Sequence, residues 1–126
     1  MRYTGIQNAE PKHSEWLKSL DFYKEDLDIL INRLNEVAGK NNSKEAEIAI
    51  EHFENQFDIQ RQNISDLQHR VKSNLHSCAN DVQQHAGKVN ELVAHDIKEI
   101  EQDMTDFEKA IKEFRKEFSL FLSKWM

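Results

Sequence analysis

Residues 93–125 read VAHDIKEIEQDMTDFEKAIKEFRKEFSLFLSKW, and this stretch decides the fold. Within it, large apolar side chains return after four and then three residues, in alternation and without a break. They are Val93, Ile97, Ile100, Met104, Phe107, Ile111, Phe114, Phe118, Phe121 and Trp125. Such heptad spacing is typical of a helix that buries one narrow stripe against other helices. The stretch therefore predicts a core helix, and we expect the upstream residues to form helices that cover its stripe.

Two upstream stretches share this periodicity and predict helix one over residues 11–38 and helix two over residues 43–84. The stripe of helix one consists of Trp16, Leu20, Tyr23, Leu27, Leu30, Leu34 and Val37. The stripe of helix two consists of Ala46, Ile50, Phe53, Phe57, Gln60, Ile64, Leu67 and Val71. Helix three is predicted over residues 89–125. A chain of 126 residues with three glycines and one proline has too few helix breakers for a β-rich fold.

The helix ends are predicted from residues with known terminal preferences. Pro11 suits the first turn of a helix, where its missing N–H has no intrahelical acceptor. Gly39 is expected just after helix one, in the left-handed conformation that ends many helices. Asn42 or Ser43 is expected to cap helix two. The turn between helices two and three is predicted near Gly87.

Together these elements predict a single all-α domain over residues 1–126. Its architecture is an antiparallel three-helix bundle with coiled-coil-like packing, in which helices two and three are longer than helix one. Most aromatic stripe residues fall at one thick end of the bundle. At the other end, residues 70–100 are expected to project beyond helix one as a two-helix hairpin. Residues 1–10 show no periodicity and are predicted to form a loosely held arm.

The projecting hairpin leads to the prediction about partners. After Val71 the stripe of helix two is predicted to slip by one residue, to Leu75, Cys78 and Val82. Two helices bury too little surface to be stable alone, so the arm, a second copy or a partner must cover them. A homodimer is the simplest cover, because one self-complementary patch then serves both copies. The contact residues are predicted to be Leu75, Val82, Val89 and Val93.

Composition excludes several classes of function. The chain has 23 acidic against 17 basic side chains and a net charge of −6, which disfavours nucleic acid and anionic membranes as partners. No run of about 18 apolar residues predicts a membrane span. The first residues lack the apolar core of a signal peptide, and the single cysteine cannot form an internal disulfide. We therefore expect a cytoplasmic protein.

Candidate chemistry is sparse. His76, His95 and Asp96 are expected near one another in the hairpin, and such a set can bind zinc or iron. We favour solvated polar positions instead, because none of the histidines there has the i, i+4 spacing of a helical ligand pair. Cys78 lies on the stripe and is expected to be a buried small apolar group rather than a nucleophile. No catalytic residue and no cofactor is predicted.

One resemblance covers most of the chain. The pattern His-x-x-Trp-Leu-x-x-Leu-x-Phe-Tyr-Lys at residues 13–24 and the ending Phe-Leu-Ser-Lys-Trp-Met at residues 121–126 carry it. With these motifs the sequence resembles a group of short uncharacterised bacterial helical-bundle proteins. The resemblance implies a helical bundle and no particular activity.

These observations predict a non-catalytic helical protein that binds or scaffolds through protein–protein contacts. The alternative is a bundle that binds a metal or a small ligand through the histidines near the turn between helices two and three. The sequence leaves the partner and the ligand open.

Overall fold

Three long helices lie side by side in the computed structural model, which describes residues 3–5, 9–85 and 88–126, and the side chains of residues 12–85 and 89–126. Two short strands accompany them. In chain order the elements are β1 (Tyr3–Gly5), α1 (Ala9–Lys40), α2 (Lys44–Gln84), β2 (Lys88–Asn90) and α3 (Glu91–Trp125). With 41 and 35 residues, α2 and α3 are longer than α1, which has 32. The predicted three-helix fold is confirmed.

The direction of the helices follows from side-chain contacts between them. Arg61 of α2 contacts Asp28 of α1, and Gln68, further along α2, contacts Asp21, which lies earlier in α1. α2 therefore runs opposite to α1. Lys12 lies 2.9 Å from Glu101, and Arg115 lies 3.0 Å from Asp26. These two pairs show that α3 runs in the same direction as α1.

The thick end of the bundle contains an aromatic cluster between α2 and α3. The ring centroids of Phe53 and Phe121 are 4.7 Å apart, and those of Phe57 and Phe118 are 5.1 Å apart. Phe118 is fully buried. Burying one such side chain contributes roughly 1.5–3 kcal/mol. The heptad stripe of α3 is thus part of the core, as its spacing predicts.

Both ends of α1 differ from the prediction. The helix begins at Ala9, so Pro11 is its third residue, which still lies in the turn where an N–H has no intrahelical acceptor. Gly39 lies inside the last turn rather than after it. The helix ends at Lys40, and the side-chain amide of the next residue, Asn41, donates to the carbonyl oxygens of Val37 and Trp125, each at 3.0 Å. This side chain closes α1 and ties it to the end of α3.

α2 begins with a capped turn, as predicted. The Oγ of Ser43 accepts a hydrogen bond from the backbone N–H of Ala46 at 3.1 Å. Glu45 and Glu47 follow in the first turn, where negative charge is favourable. Ser43 is therefore the N-cap, and Asn42 is part of the connection.

The predicted register slip in α2 is wrong. The buried positions continue from Val71 to Asn74 and then Cys78, so the alternation of three and four is unbroken. Asn74 is only 4% exposed, whereas Leu75 is half-buried and Val82 is 39% exposed. A buried amide is tolerated where its hydrogen bonds are made, and Asn74 has such partners.

The hairpin at the thin end is covered within the chain, by α1 and by a strand of the N-terminal arm, which is one of the covers that the sequence leaves open. β1 pairs antiparallel with β2, with Tyr3 opposite Asn90 and Gly5 opposite Lys88. Trp16 of α1 packs against an apolar cluster formed by Cys78, Val89 and Ile97. We call this cluster, with the paired strands, the tip. Part of the predicted arm is therefore a strand, while residues 1, 2 and 6–8, and residues 86–87 of the predicted turn, lie outside the described residues.

Candidate functional site

A buried polar cluster lies between the tip and the main core. It joins His13 of α1, Asn74 and Cys78 of α2, and Asp96 of α3. His13 is 0% exposed, and its Nε2 lies 2.7 Å from Oδ1 of Asn74. The Sγ of Cys78 lies 3.4 Å from the same oxygen. The amide nitrogen of Asn74 donates to Oδ2 of Asp96 at 2.9 Å and to the carbonyl oxygen of Val93 at 3.2 Å.

These contacts determine which atoms carry hydrogen. An ionised carboxylate and a carbonyl oxygen can only accept, so the Asn74 atom that faces Asp96 and Val93 must be its nitrogen. Its oxygen therefore accepts a hydrogen bond from the Nε2–H of His13. The other ring nitrogen, Nδ1, is buried and has no hydrogen-bond partner. His13 is thus held in one tautomer by α2.

Charged side chains lie on the outer side of the cluster. Arg70 forms an ion pair with Asp103 and lies 3.9 Å from Oδ1 of Asp96. Burial, and then the negative charges of Asp81 and Asp96, raises the pKa of the Cys78 thiol to about 11. A thiol with this pKa is protonated at neutral pH and is a poor nucleophile and a poor metal ligand. The cluster therefore acts as a structural layer that joins the three helices.

The residues of the alternative metal prediction are not brought together. His76 and His95 are both exposed, and Nε2 of His95 lies 3.2 Å from Glu99 on its own helix. Asp96 instead contacts Asn74 and lies near Arg70. Within residues 12–85 and 89–126, no group of three His, Cys, Asp or Glu side chains could hold a metal ion.

The residues of the predicted dimer contact do not form one exposed patch. Val89 is fully buried within a single chain, so its predicted role in a contact between copies is wrong. Leu75 and Val93 are half-buried, and Val82 is 39% exposed. Val89 is buried within the tip because α1 and β1 extend further along the hairpin than the heptad pattern predicts.

The structure reveals a different surface along the line where α1 meets α3. Near the tip this seam holds a groove of about 210 Å³, lined by Glu15, Trp16, Ser19, Glu101, Met104, Thr105 and Glu108. Further along, Nε of Arg115 lies 3.0 Å from Oδ2 of Asp26, although its N–H is not aligned on that oxygen. Burial, and next Glu108, raises the pKa of Tyr23 above its ordinary value. Tyr23, Asp26 and Arg115 therefore mark where the two helices touch.

Two exposed apolar side chains lie beside this contact. Phe22 is 56% exposed and Ile29 is 60% exposed. Phe22 precedes Asp26 by one helical turn and Ile29 follows it by nearly one turn, so both lie on the flank of α1 that approaches α3. Their spacing of seven residues keeps them on one line.

On α3, Lys112 lies one turn before Arg115, on the flank that approaches α1. Lys109 and Lys116 are each two residues from buried members of the stripe, so they lie on the opposite side of α3. All three are exposed, and none forms an ion pair among the described side chains. We call Phe22, Ile29 and Lys112 the α1–α3 face.

Reasoning from the sequence missed this face. Phe22 and Ile29 lie outside the heptad stripe of helix one. Their mutual spacing of seven residues, outside the stripe, is the signal that could have indicated a second apolar line. Ile48, Ile59, Val82, Leu92, Leu120 and Met126 are also exposed apolar side chains. Single exposed apolar residues of that kind are ordinary.

No protein-family model matches the sequence, and no curated protein or solved structure matches it. Among the described helices, none has an 18-residue stretch apolar enough to span a membrane.

Proposed function

We propose that this chain is a non-catalytic binding protein that acts through protein–protein contacts on its α1–α3 face. The observation that carries the proposal is the exposure of Phe22 and Ile29, one heptad apart on the same flank. Transferring a side chain of this size from water into a contact contributes roughly 1.5–3 kcal/mol. Two such side chains in line provide a drive for association and a geometry that suits another helix.

The contacts of the buried reactive side chains, and the raised pKa of the thiol among them, support a binding function over a catalytic one. The buried side chains that could react, His13 and Cys78, both contact Asn74. The Cys78 thiol has its pKa raised to about 11, so it is protonated at neutral pH. Binding through the outer surface needs none of these groups.

Affinity capture with the full-length chain tests the proposal. The bait is compared with a Phe22→Glu/Ile29→Glu variant, which places charge on the face without touching the stripe. The matched control is Ile48→Glu/Ile59→Glu, because these two isoleucines are 62% and 50% exposed on α2. We expect one protein to be captured in stoichiometric amount by the unmodified chain and the control and lost with the face variant.

The opposite results would reject the proposal. They are capture that survives Phe22→Glu/Ile29→Glu, or the absence of any stoichiometric partner. Circular dichroism of each variant checks that the helices are intact, so that loss of capture is not loss of fold.

We also propose that the chain forms a homodimer through what remains of the predicted patch. Leu75, Val82 and Val93 are its partly exposed members, and Val89 is not available. Sedimentation of the unmodified chain at micromolar concentration is expected to show a dimer, and Leu75→Glu/Val82→Glu is expected to give a monomer. A monomeric unmodified chain would contradict this part of the proposal.

A cytoplasmic location is proposed as well. The single cysteine is a buried free thiol, which suits a reducing compartment. Fractionation of source cells, with recovery of the chain outside the cytoplasmic fraction, would overturn this proposal.

A further inference from the structure

A groove of about 520 Å³ lies at the thick end of the bundle, where α1 ends and α2 begins. It is lined by the last turn of α1, the connection and the first turns of α2, through Ala38, Asn41, Asn42, Glu47, Ile50, Glu51 and Glu54. Ile50 is 7% exposed and belongs to the core, whereas the three glutamates are exposed. The groove therefore combines an apolar floor with carboxylates along its α2 wall.

These carboxylates belong to the flank of α2 that faces α1. Arg61, one residue after a buried stripe position, contacts Asp28 of α1. Glu45, one residue before a stripe position, contacts Lys124 of α3. The positions that directly follow the stripe therefore lie on the α1 side. Over the first four turns of α2 they hold Glu47, Glu51, Glu54 and Asp58, which we call the carboxylate line.

The basic residues near the carboxylate line lie beyond its ends. Residues three and four positions apart are neighbours on the surface of a helix. For Glu51 and Glu54, in the middle of the line, those positions hold no lysine or arginine. Lys40 and Lys44 lie on either side of the connection, and Arg61, beyond the other end, is already paired with α1. The middle of the line is therefore negative.

The opposite wall of the groove adds acceptors and no positive charge. After Asp28, the α1 positions that directly follow the stripe of that helix are uncharged, namely Ile31, Asn35 and Ala38. The last carbonyl groups of α1 carry the negative end of its dipole. The side-chain nitrogen of Asn41 donates to two backbone carbonyl oxygens, which leaves its oxygen as an acceptor. Both walls therefore favour a positively charged occupant.

The dipole of α2 explains only the start of the carboxylate line. Negative side chains are favourable in the first turn of a helix, where Glu45 and Glu47 lie. The effect falls off within that turn, so it does not account for Glu51, Glu54 and Asp58. Like charges at this spacing repel one another and destabilise a helix. A cationic partner along the line would remove the repulsion.

We infer that this groove docks a basic helical segment of another protein. Its Lys or Arg side chains pair with the carboxylate line, and its small apolar side chains contact the floor at Ala38 and Ile50. Glu47 and Asp58 are eleven residues apart, about 16.5 Å along α2, which matches about three turns of a partner helix. Such charge complementarity selects partners and increases the rate of association. The groove lies on another side of α1 from the α1–α3 face, so the inference does not depend on that face.

Two model peptides of opposite charge test the inference with the full-length chain. The basic peptide is about three heptads long, with Ala at the two core positions of each heptad and Lys at the flanking positions. The acidic peptide has Glu in place of each Lys. Binding is measured by fluorescence anisotropy of labelled peptide at about 50 mM and about 500 mM salt, where exposed charge pairs are weakly and strongly screened.

Two variants that remove equal charge sharpen the test. Glu51→Gln/Glu54→Gln changes the groove, and Glu113→Gln/Glu117→Gln is the matched control, since it changes two exposed glutamates one turn apart on α3. We expect the basic peptide to bind the unmodified chain and the control alike, and the groove variant roughly tenfold more weakly. The acidic peptide is expected to bind the unmodified chain more weakly than the basic one, and high salt to reduce the difference. Thermal unfolding of the groove variant should show no loss of stability, because repulsion along the line is reduced.

Several results would overturn the inference. They are no binding of the basic peptide, equal binding of both peptides, or equal effects of the two charge-removing variants. Calcium binding by calorimetry that is lost in Glu51→Gln/Glu54→Gln, without binding of the basic peptide, would identify a divalent cation as the occupant instead. Self-association of the chain that is lost in the same variant would identify a second copy.

The α1–α3 face is tested separately from this groove. The basic peptide is expected to bind Phe22→Glu/Ile29→Glu as it binds the unmodified chain, whether or not that variant loses capture of a cellular protein. Weaker binding of the peptide to that variant would place the peptide on the α1–α3 face and reject the groove as its site.

Discussion

At the scale of single residues, Asn74 and Gln60 make opposite contributions from equivalent stripe positions of α2. Both are buried, at 4% and 7% exposure. Asn74 contacts His13, Asp96 and the Val93 carbonyl oxygen, whereas Oε1 of Gln60 has no hydrogen-bond partner. A buried polar atom that lacks a partner costs free energy, and one that is fully bonded leaves its partners unpaired when it is removed.

We therefore expect leucine to have opposite effects at the two sites. Asn74→Leu should lower the free energy of unfolding by about 2–3 kcal/mol, because a buried histidine, a carbonyl and a carboxylate lose their partner. Gln60→Leu should raise it by about 1 kcal/mol, because an unpaired oxygen is replaced by apolar surface. Urea unfolding of both variants measures the difference. Equal effects would mean that the bonds of Asn74 contribute nothing.

The Cys78 thiol provides a second prediction at this scale. Its pKa is about 11 in the folded chain, against 9.0 for an ordinary thiol, so at about pH 8 it should react with a thiol reagent far more slowly in native protein than in denaturant. Because the folded pKa is the higher one, the stability linked to this thiol is complete below pH 9 and is lost as the pH rises from 9 towards 11. The raised pKa of Tyr23 acts in the same direction at high pH.

Urea unfolding at about pH 8 and about pH 10 should therefore show lower stability at the higher pH. The matched control is Cys78→Ala, which should reduce the difference between the two pH values. Equal reaction rates in native and denatured protein would place the thiol at the surface.

At the scale of elements, the heptad pattern predicted the long helices, whose buried residues recur at regular intervals. It missed features that depend on a few local contacts. The stripe of α3 was predictable because each of its large apolar residues returns to the same face. The register of α2 was misjudged because the stripe was continued to the apolar Leu75, whereas Asn74 is buried and its hydrogen bonds make that burial tolerable. β1 and β2 have three residues each, which is too short for periodicity to show.

Only part of the candidate site could be predicted in the same way. The burial of Cys78 was predictable from its place on the stripe. The contact between His13 and Asn74 was not, since it depends on how far α1 extends along α2. The α1–α3 face was missed because its apolar and basic members lie on two different helices.

The end of α1 gives a prediction about an element. Gly39 lies inside the helix, and a Cβ added there would meet no atom within 4 Å. Gly39→Ala should therefore raise the free energy of unfolding by about 0.5–1 kcal/mol, since alanine restricts the unfolded chain and favours the helix. Thermal unfolding monitored by circular dichroism measures the gain. A loss of stability would place Gly39 in the left-handed conformation that the sequence predicts.

At the scale of the whole molecule, the strands and the tip cluster close the end where α2 and α3 extend beyond α1. β1 pairs with β2, and β2 supplies Val89 to the cluster that contains Cys78 and Ile97. Deleting residues 1–8 should therefore weaken the tip more than the thick end. We expect the deletion to increase the rate at which Cys78 reacts with a thiol reagent by about tenfold or more, in line with easier local opening.

The control for this deletion acts from the opposite end of the molecule. Ser43→Ala removes the cap of α2 and should lower global stability by about 1 kcal/mol. It should leave the rate at Cys78 almost unchanged, because it does not touch the tip. If the deletion has no more effect on that rate than Ser43→Ala does, the strands do not protect the tip.

The polar layer formed by His13, Asn74 and Asp96 also implies a hierarchy in how the protein unfolds. It separates the apolar interior into a large body and a small tip cluster, and Trp16 packs against both. The tip cluster buries only a few apolar side chains, so it can open as a cooperative unit of its own while the aromatic body stays closed. In native-state amide exchange, the amides of Cys78 and Ile97 would then exchange through this partial opening, and those of Phe57 and Phe118 only through global unfolding.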